Sequence, residues 1–360
     1  MQVRAEKSTT GRTGHGPPRA LRAGLGAVEA VAPRLAVRLA HRLFMTPPRH
    51  AAPRWEREAL AGASPFELRA AGATVRGWRL GEGPAVMLVH GWGGRGGQLA
   101  TFAPPLLEAG CSVVTFDGPG HGASGGRTAN VVRFAEAAAV VAHRHRARAA
   151  IGHSMGGAAL AWALRGGLSL HAAVLVAPPR TPEGFLAPFC DALGLRPGTR
   201  DELRGFIERR VGVRMDDLDV PGFAPGLRTP ALLVHDRADR EVPFEDGAAI
   251  AAAWPGARLV PTERLGHRRI LREPAVVSEV TSFVLDRIPR CACGRFAARV
   301  ADGAPRCHTC LLDLHLAHRE DRRPGPRAEE EGRRRPGFDD AVDAVLRSIE
   351  NDVLSPGPAR

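Results

Sequence analysis

Gly152-His153-Ser154-Met155-Gly156 follows an apolar run at 148–152 and precedes a run of small residues at 155–165. A serine with glycine two residues away on either side suits a strand-to-helix turn too tight for neighbouring side chains. Such a turn thrusts Ser154 out at the top of a sheet. The N-terminus of the following helix then stands behind it and favours developing negative charge. The chain holds 42 glycines, so the surroundings must decide the meaning of these five residues.

Upstream, Ala85-Val86-Met87-Leu88-Val89 is unbroken and apolar, as in a parallel strand buried on both faces. It runs into His90-Gly91-Trp92-Gly93-Gly94, a loop suited to presenting backbone N–H groups. A second run, Cys111-Ser112-Val113-Val114-Thr115-Phe116, ends in Asp117-Gly118-Pro119-Gly120-His121-Gly122-Ala123-Ser124. With the pentapeptide at 152–156, these motifs resemble, in order and spacing, the serine hydrolase and esterase branch of the α/β-hydrolase superfamily. The resemblance covers roughly residues 66–285. It implies an α/β fold, with a mostly parallel eight-stranded sheet, helices on both faces and a small helical cap. The coarse pattern agrees: strands near 66–70, 73–79, 85–90, 111–116, 148–152, 171–177, 231–236 and 257–261 alternate with helices at 97–109, 128–145, 155–165, 245–253 and 270–286. The alternation breaks at 178–229, where Phe185, Leu186, Phe189, Leu193, Leu203, Phe206 and Ile207 recur at helical intervals. These apolar residues either line an acyl or alcohol pocket from a cap or pack on the sheet.

The resemblance places an acid and then a histidine downstream of Ser154. Residues 230–236 read as a strand leading into Arg237-Ala238-Asp239-Arg240-Glu241-Val242-Pro243. The family's acid commonly stands three residues before Val-Pro, which selects Asp239, with Asp236 the alternative. His267 falls on the loop after the strand at 257–261. Histidine is the side chain that titrates near neutral pH without help, and serine needs a base to become a nucleophile. Asp239 would hold the imidazole in one tautomer and stabilise the imidazolium. The oxyanion hole would be the N–H groups of Trp92 and Met155. His90, His121 and His153, and the 117–124 segment, read as loop-forming parts.

Haloalkane dehalogenases and most epoxide hydrolases of the family carry Asp at the elbow, and the latter also use Tyr. This chain has Ser154 and no Tyr. What remains is acyl transfer to water from esters, thioesters, amides or the carbon–carbon bonds of diketones; a small ester or thioester cleaved through an acyl-enzyme is the expectation, with no cofactor needed for catalysis. A reading from another class is a non-catalytic scaffold using its basic arm and cysteine knuckle. Retention of Ser, Asp and His together favours the enzyme.

Of the net charge of +12, residues 1–54 carry +8 and residues 286–360 carry +1. The hydrolase body, 55–285, is therefore close to neutral. Lys7 is the only lysine, a bias expected of a GC-rich genome, so the positive charge argues little for a nucleic-acid partner. Residues 1–19 read as disordered and 33–45 as a short helix. On it Arg34, Arg38 and Arg42 line one face and Leu35, Leu39 and Leu43 a neighbouring one. Such a helix either makes a weak peripheral contact with an anionic membrane or docks on its own chain. Glu29 and the arginines interrupt the early apolar region, so neither a membrane span nor a signal peptide is expected, and the expected location is cytoplasmic.

Cys291, Cys293, Cys307 and Cys310 fall within twenty residues as two close pairs. This spacing suits a structural Zn²⁺ ribbon at 287–318, with His308 or His315 as substitute ligands and disulfides as the alternative. Cys111 and Cys190 read as buried and inert. Residues 319–360 read as a charged linker and a short helix at 338–353.

Overall fold

The alternating apolar runs assemble into one eight-stranded sheet. The structure is a computed structural model that describes residues 18–297, 299–301, 304–307 and 309–310. The strands are β1 (Ser64–Ala70), β2 (Ala73–Leu80), β3 (Ala85–Val89), β4 (Ser112–Phe116), β5 (Ala147–His153), β6 (Ala172–Val176), β7 (Ala231–Asp236) and β8 (Arg258–Thr262), in spatial order β1-β2-β4-β3-β5-β6-β7-β8. β1 and β2 are antiparallel to each other and β2 is antiparallel to β4; all later pairings are parallel. β3, β4, β6 and β7 are buried throughout, as expected where helices cover both faces. The period of two sorts their side chains. Met87 and Val89 of β3 join Phe134, Leu160 and Trp254 on one face, while Val86 and Leu88 join Leu106, Val280 and Phe283 on the other.

The helices are α1 (Arg19–Val31), α2 (Pro33–Met45), α3 (Arg54–Ala59), α4 (Ala103–Glu108), α5 (Val131–Arg144), α6 (Met155–Arg165), α7 (Glu183–Leu193), α8 (Pro197–Val211), α9 (Val220–Phe223), α10 (Phe244–Ala253), α11 (Gly266–Arg269) and α12 (Pro274–Leu285). The helix expected at 97–109 is instead a 3-10 stretch, Gly96–Phe102, followed by the short α4. Pro104 and Pro105 explain the break: proline suits the first turn of a helix but cannot donate within a longer one.

α1 is an addition to the sequence reading. Gly24 and Gly26 lower its intrinsic propensity, and packing holds it. Leu25 of α1 and Ala36, Val37, Ala40 and Met45 of α2 share one core with Leu186, Cys190, Leu193, Leu203 and Ile207 of α7 and α8. Buried Glu29 accepts a hydrogen bond from the Arg196 N–H at 2.9 Å and ties α1 to the start of α8. The helices of the cap region and of the N-terminal arm thus form a single helical roof. α2 docks on its own chain through its alanine and valine face. Its leucine face stays open: Leu35, Leu39 and Leu43 are 47%, 39% and 42% exposed. Among the described residues, no helix is long and apolar enough to cross a membrane. Of the stretch 1–19 expected to be disordered, residues 1–17 lie outside the described residues, while Arg19 opens α1; the stretches expected at 319–337 and 338–353, and His308 and His315, also lie outside them.

Candidate active site

Ser154 links β5 to α6 with φ 53° and ψ −125°, a conformation that non-glycine residues rarely adopt. Strain of this kind costs about 1–3 kcal/mol and persists only where the surroundings enforce it. Here the Ser154 N–H donates to the Val176 carbonyl at 2.9 Å, and its own carbonyl accepts from Gly157 N at 2.9 Å and Ala158 N at 3.2 Å. The flanking glycines are sterically required. A Cβ on Gly152 would stand 2.7 Å from the Gly156 carbonyl oxygen, and one on Gly156 would strike the Val89 and His90 carbonyls. The loop after β3 also closes on the serine, because a Cβ on Gly91 would meet Ser154 Cβ at 2.9 Å.

That loop accounts for its amides one by one. Gly91 N donates to Gln98 Oε1 at 3.1 Å, Gly93 N to His121 Nε2 at 3.0 Å and Gly94 N to the Gly91 carbonyl at 3.0 Å. The Trp92 amide has no partner among the described residues. Met155 opens α6, so its N–H belongs to the four that a helix leaves without an internal acceptor. Both residues named for the oxyanion hole therefore present amides not taken up by the fold.

His90 and His121 knit this loop to the segment after β4. His90 donates from Nδ1 to the Gly91 carbonyl at 2.7 Å and accepts the Gly118 N–H at Nε2, 2.9 Å away. His121 likewise donates to the Pro119 carbonyl and accepts from Gly93. Each ring must be neutral to play both parts. Burial pushes their pKa values down to about 4 and about 3. Asp117, pushed up by burial, receives the N–H groups of Gly96 and Ala123, both at 2.7 Å. This segment forms loops and brings no reactive group to Ser154.

His267 lies in the single turn of α11 and donates from Nδ1 to Asp239 Oδ2 at 2.7 Å. The carboxylate of Asp239 is wholly buried, and its Oδ1 receives the N–H groups of Glu241 at 2.8 Å and Val242 at 3.1 Å. Burial alone would raise its pKa. The nearby His235 ring, the hydrogen bond from His267 and the Val242 amide more than reverse this, holding the group below the ordinary carboxylate range. Asp236 has other partners: Oδ2 receives Thr262 Oγ1 and Leu265 N, each at 2.9 Å, and Oδ1 receives Ala238 N at 3.0 Å. The histidine is thus paired with Asp239, while Asp236 braces the loops that carry the pair.

The pair reaches the elbow through His153. Its Nε2 donates to the His267 carbonyl at 2.9 Å, and the two rings lie 4.7 Å apart. Burial, with His267 beside it, pushes the His153 pKa down to about 3, so this ring is an uncharged spacer. Ser154 Oγ and His267 form no direct hydrogen bond in this arrangement, and catalytic hydrogen bonds often tighten only in the Michaelis complex. The residue that the sequence reading passed over is His235. It is fully buried, its Nε2 donates to the Val242 carbonyl at 3.1 Å, and it stands 3.6 Å from Asp239 Oδ2. A histidine inside the otherwise apolar run 231–235 was the available signal.

The two cysteine pairs come together. The four sulfurs of Cys291, Cys293, Cys307 and Cys310 lie within 4.8 Å of one another, with Cys293 Sγ 3.5 Å from Cys307 Sγ. The strands β9 (Arg299–Ala301) and β10 (Ala304–Arg306) form an antiparallel hairpin between the pairs. Tetrahedral zinc with thiolates at about 2.3 Å requires sulfurs about 3.8 Å apart, a spacing this donor set fits. Cys111 and Cys190 are buried, and burial pushes both thiols up to about 11.

Comparison with known proteins bears on the fold and the family. An esterase from Pyrococcus furiosus is similar, with a TM-score of 0.52 and 18% identity over 68% of this chain and 97% of that one. A hydrolase from Pseudomonas aeruginosa has a TM-score of 0.49 and 21% identity, covering 62% of this chain and 98% of its own. An esterase from Exiguobacterium antarcticum gives 0.48 and 18%, over 61% and 98%. Comparison with curated proteins returns no match. The sequence profile of the alpha/beta hydrolase family matches residues 86–280. That span is more than half of the 360 residues. It includes the elbow, the loop that packs on it and the His267–Asp239 pair, so the chain belongs to the alpha/beta hydrolase family.

Proposed function

We propose that this chain is a serine hydrolase that cleaves a small carboxylic ester or thioester through an acyl-enzyme on Ser154. The observation that carries the reading is the strained, non-glycine elbow at Ser154, joined through His153 to a buried His267–Asp239 pair. A scaffold has no use for such strain. In the reaction, Ser154 Oγ attacks the carbonyl carbon while His267 Nε2 takes its proton. The oxyanion forms within reach of the Trp92 and Met155 amides. The tetrahedral intermediate then collapses as the imidazolium returns its proton to the leaving group. Water, activated by the same histidine, attacks the acyl-enzyme and releases the acid. Asp239 stays ionised and holds His267 in the Nδ1–H tautomer. Replacing Ser154 by Ala should lower turnover of p-nitrophenyl esters by at least about 10³-fold, measured by steady-state kinetics on purified protein. Retention within about tenfold would remove Ser154 from the mechanism.

Two further parts belong to the proposal. The four cysteines bind one structural Zn²⁺ that catalysis does not use. Thiolate ligation needs a reducing compartment, which agrees with a cytoplasmic location, and metal analysis of the reduced protein checks it. Residues 33–45 make a weak peripheral contact with an anionic membrane, supported by the open leucine face of α2 beside Arg34, Arg38 and Arg42.

A further inference from the structure

A cleft of about 510 Å³ opens beside the base, walled by His267, Gly266, Ala238 and Glu241 and rimmed by Arg240, Arg264 and Arg269. Its charge is not balanced. The two nearby glutamates are taken up by other arginines, Glu241 by Arg268 at 3.2 Å and Glu263 by Arg237 at 3.9 Å. Asp236 and Asp239 are turned inward onto backbone amides and His267. Among the described residues, Arg240, Arg264 and Arg269 form no ion pair, and Glu241, the one carboxylate in the lining of the cleft, is paired with Arg268. One of the three, Arg269, is also fixed in place. Arg269 donates from Nε to the Leu265 carbonyl at 3.0 Å and from Nη2 to the Arg264 carbonyl at 2.6 Å. Arg264 itself has φ 60°, a left-handed backbone that an arginine adopts only under constraint. The constraint lies on the loop that delivers His267.

The position of the cleft gives it a meaning. His267 returns its proton to the departing group, so a leaving group must come within hydrogen-bond reach of the ring that forms one wall of this cleft. Guanidinium groups recognise phosphate through charge-assisted, bidentate hydrogen bonds, and a cluster of them also raises the local concentration of anions. We infer that the substrate's leaving group carries phosphate, bound at the arginine rim of this cleft. This inference rests on the serine hydrolase reading and specifies its substrate class. A phosphorylated thiol carrier and a glycerophosphate alcohol share the required chemistry.

The test compares four donors with one octanoyl chain. The thioesters are octanoyl-coenzyme A and neutral S-octanoyl-N-acetylcysteamine; the esters are octanoyl-glycerol-3-phosphate and neutral octanoylglycerol. In at least one pair, kcat/KM for the phosphorylated donor should exceed that of its neutral partner by about tenfold or more, through KM. The preference should shrink as salt rises from about 0.05 to about 0.5 M. In Arg240→Gln/Arg264→Gln it should fall about tenfold while the neutral donor stays within about twofold, and Arg240→Lys/Arg264→Lys should restore part of it. Preference in the thioester pair alone identifies a thiol carrier, and preference in the ester pair alone identifies a glycerophosphate. Neutral donors cleaved as fast as phosphorylated ones in both pairs, or a preference unmoved by salt, would overturn the anion site and leave the serine hydrolase reading standing. No turnover of any donor would overturn both. The salt series on unaltered protein decides the matter even if the variants fail to fold.

Discussion

Around Ser154 the chain is packed by its backbone, while in the roof it is packed by side chains. At the elbow, Gly152, Gly156 and Gly91 bring main-chain atoms so close that no Cβ fits, and the serine is held in a disfavoured conformation. In the roof, Leu25, Met45, Leu186, Cys190 and Leu203 interdigitate between helices of ordinary geometry. Backbone packing fixes atoms within tenths of an ångström, which acyl transfer demands. Side-chain packing accepts volume-conserving changes and so suits a surface that tunes what the enzyme meets. A change near the elbow should therefore act on turnover, and a change on the roof on recognition.

The largest effect expected from this contrast lies in the His267–Asp239 pair. Asp239→Asn should cost about 10³–10⁴ in kcat, because the amide favours the wrong imidazole tautomer. Asp236→Asn should lower kcat by no more than about tenfold while lowering the melting temperature, since it weakens three loop-bracing hydrogen bonds. The reverse ranking would transfer the orienting role to Asp236. A smaller effect is expected from the roof. Leu35→Ser, Leu39→Ser and Leu43→Ser together should leave turnover of a soluble ester within about twofold, yet weaken sedimentation with anionic vesicles by about tenfold or more. Unchanged vesicle binding would mean that the exposed leucines do not meet a membrane. Lost turnover would mean that roof and elbow are not separable.

The same contrast explains what was legible in the sequence. β3 was expected at 85–90 and is Ala85–Val89; α6 matches its expected bounds of 155–165. These elements announce themselves through local apolar runs and glycine spacing. The elbow was legible for the same reason, since the residues that make it tight are adjacent in the chain. α1 was not legible, because Gly24, Gly26 and scattered arginines obscure an amphipathic pattern that only α7 and α8 complete. The helix expected at 97–109 is broken ahead of Pro104 and Pro105, since proline can open a helix but cannot donate within one. Asp236 ends β7 and Asp239 follows three residues on, and only the three-dimensional course of β7, β8 and α11 separates their partners. His235 was invisible as a contact of Asp239 for the same reason.

The central claim is that a covalent acyl-enzyme forms on Ser154, and trapping that species tests it most directly. Protein mixed with a p-nitrophenyl ester and acid-quenched within the first turnover should release a burst of nitrophenol. Peptide mass spectrometry should then place one acyl group on the peptide containing Ser154, with none in Ser154→Ala. Turnover with no burst and no adduct, or an adduct on a different residue, would contradict the account.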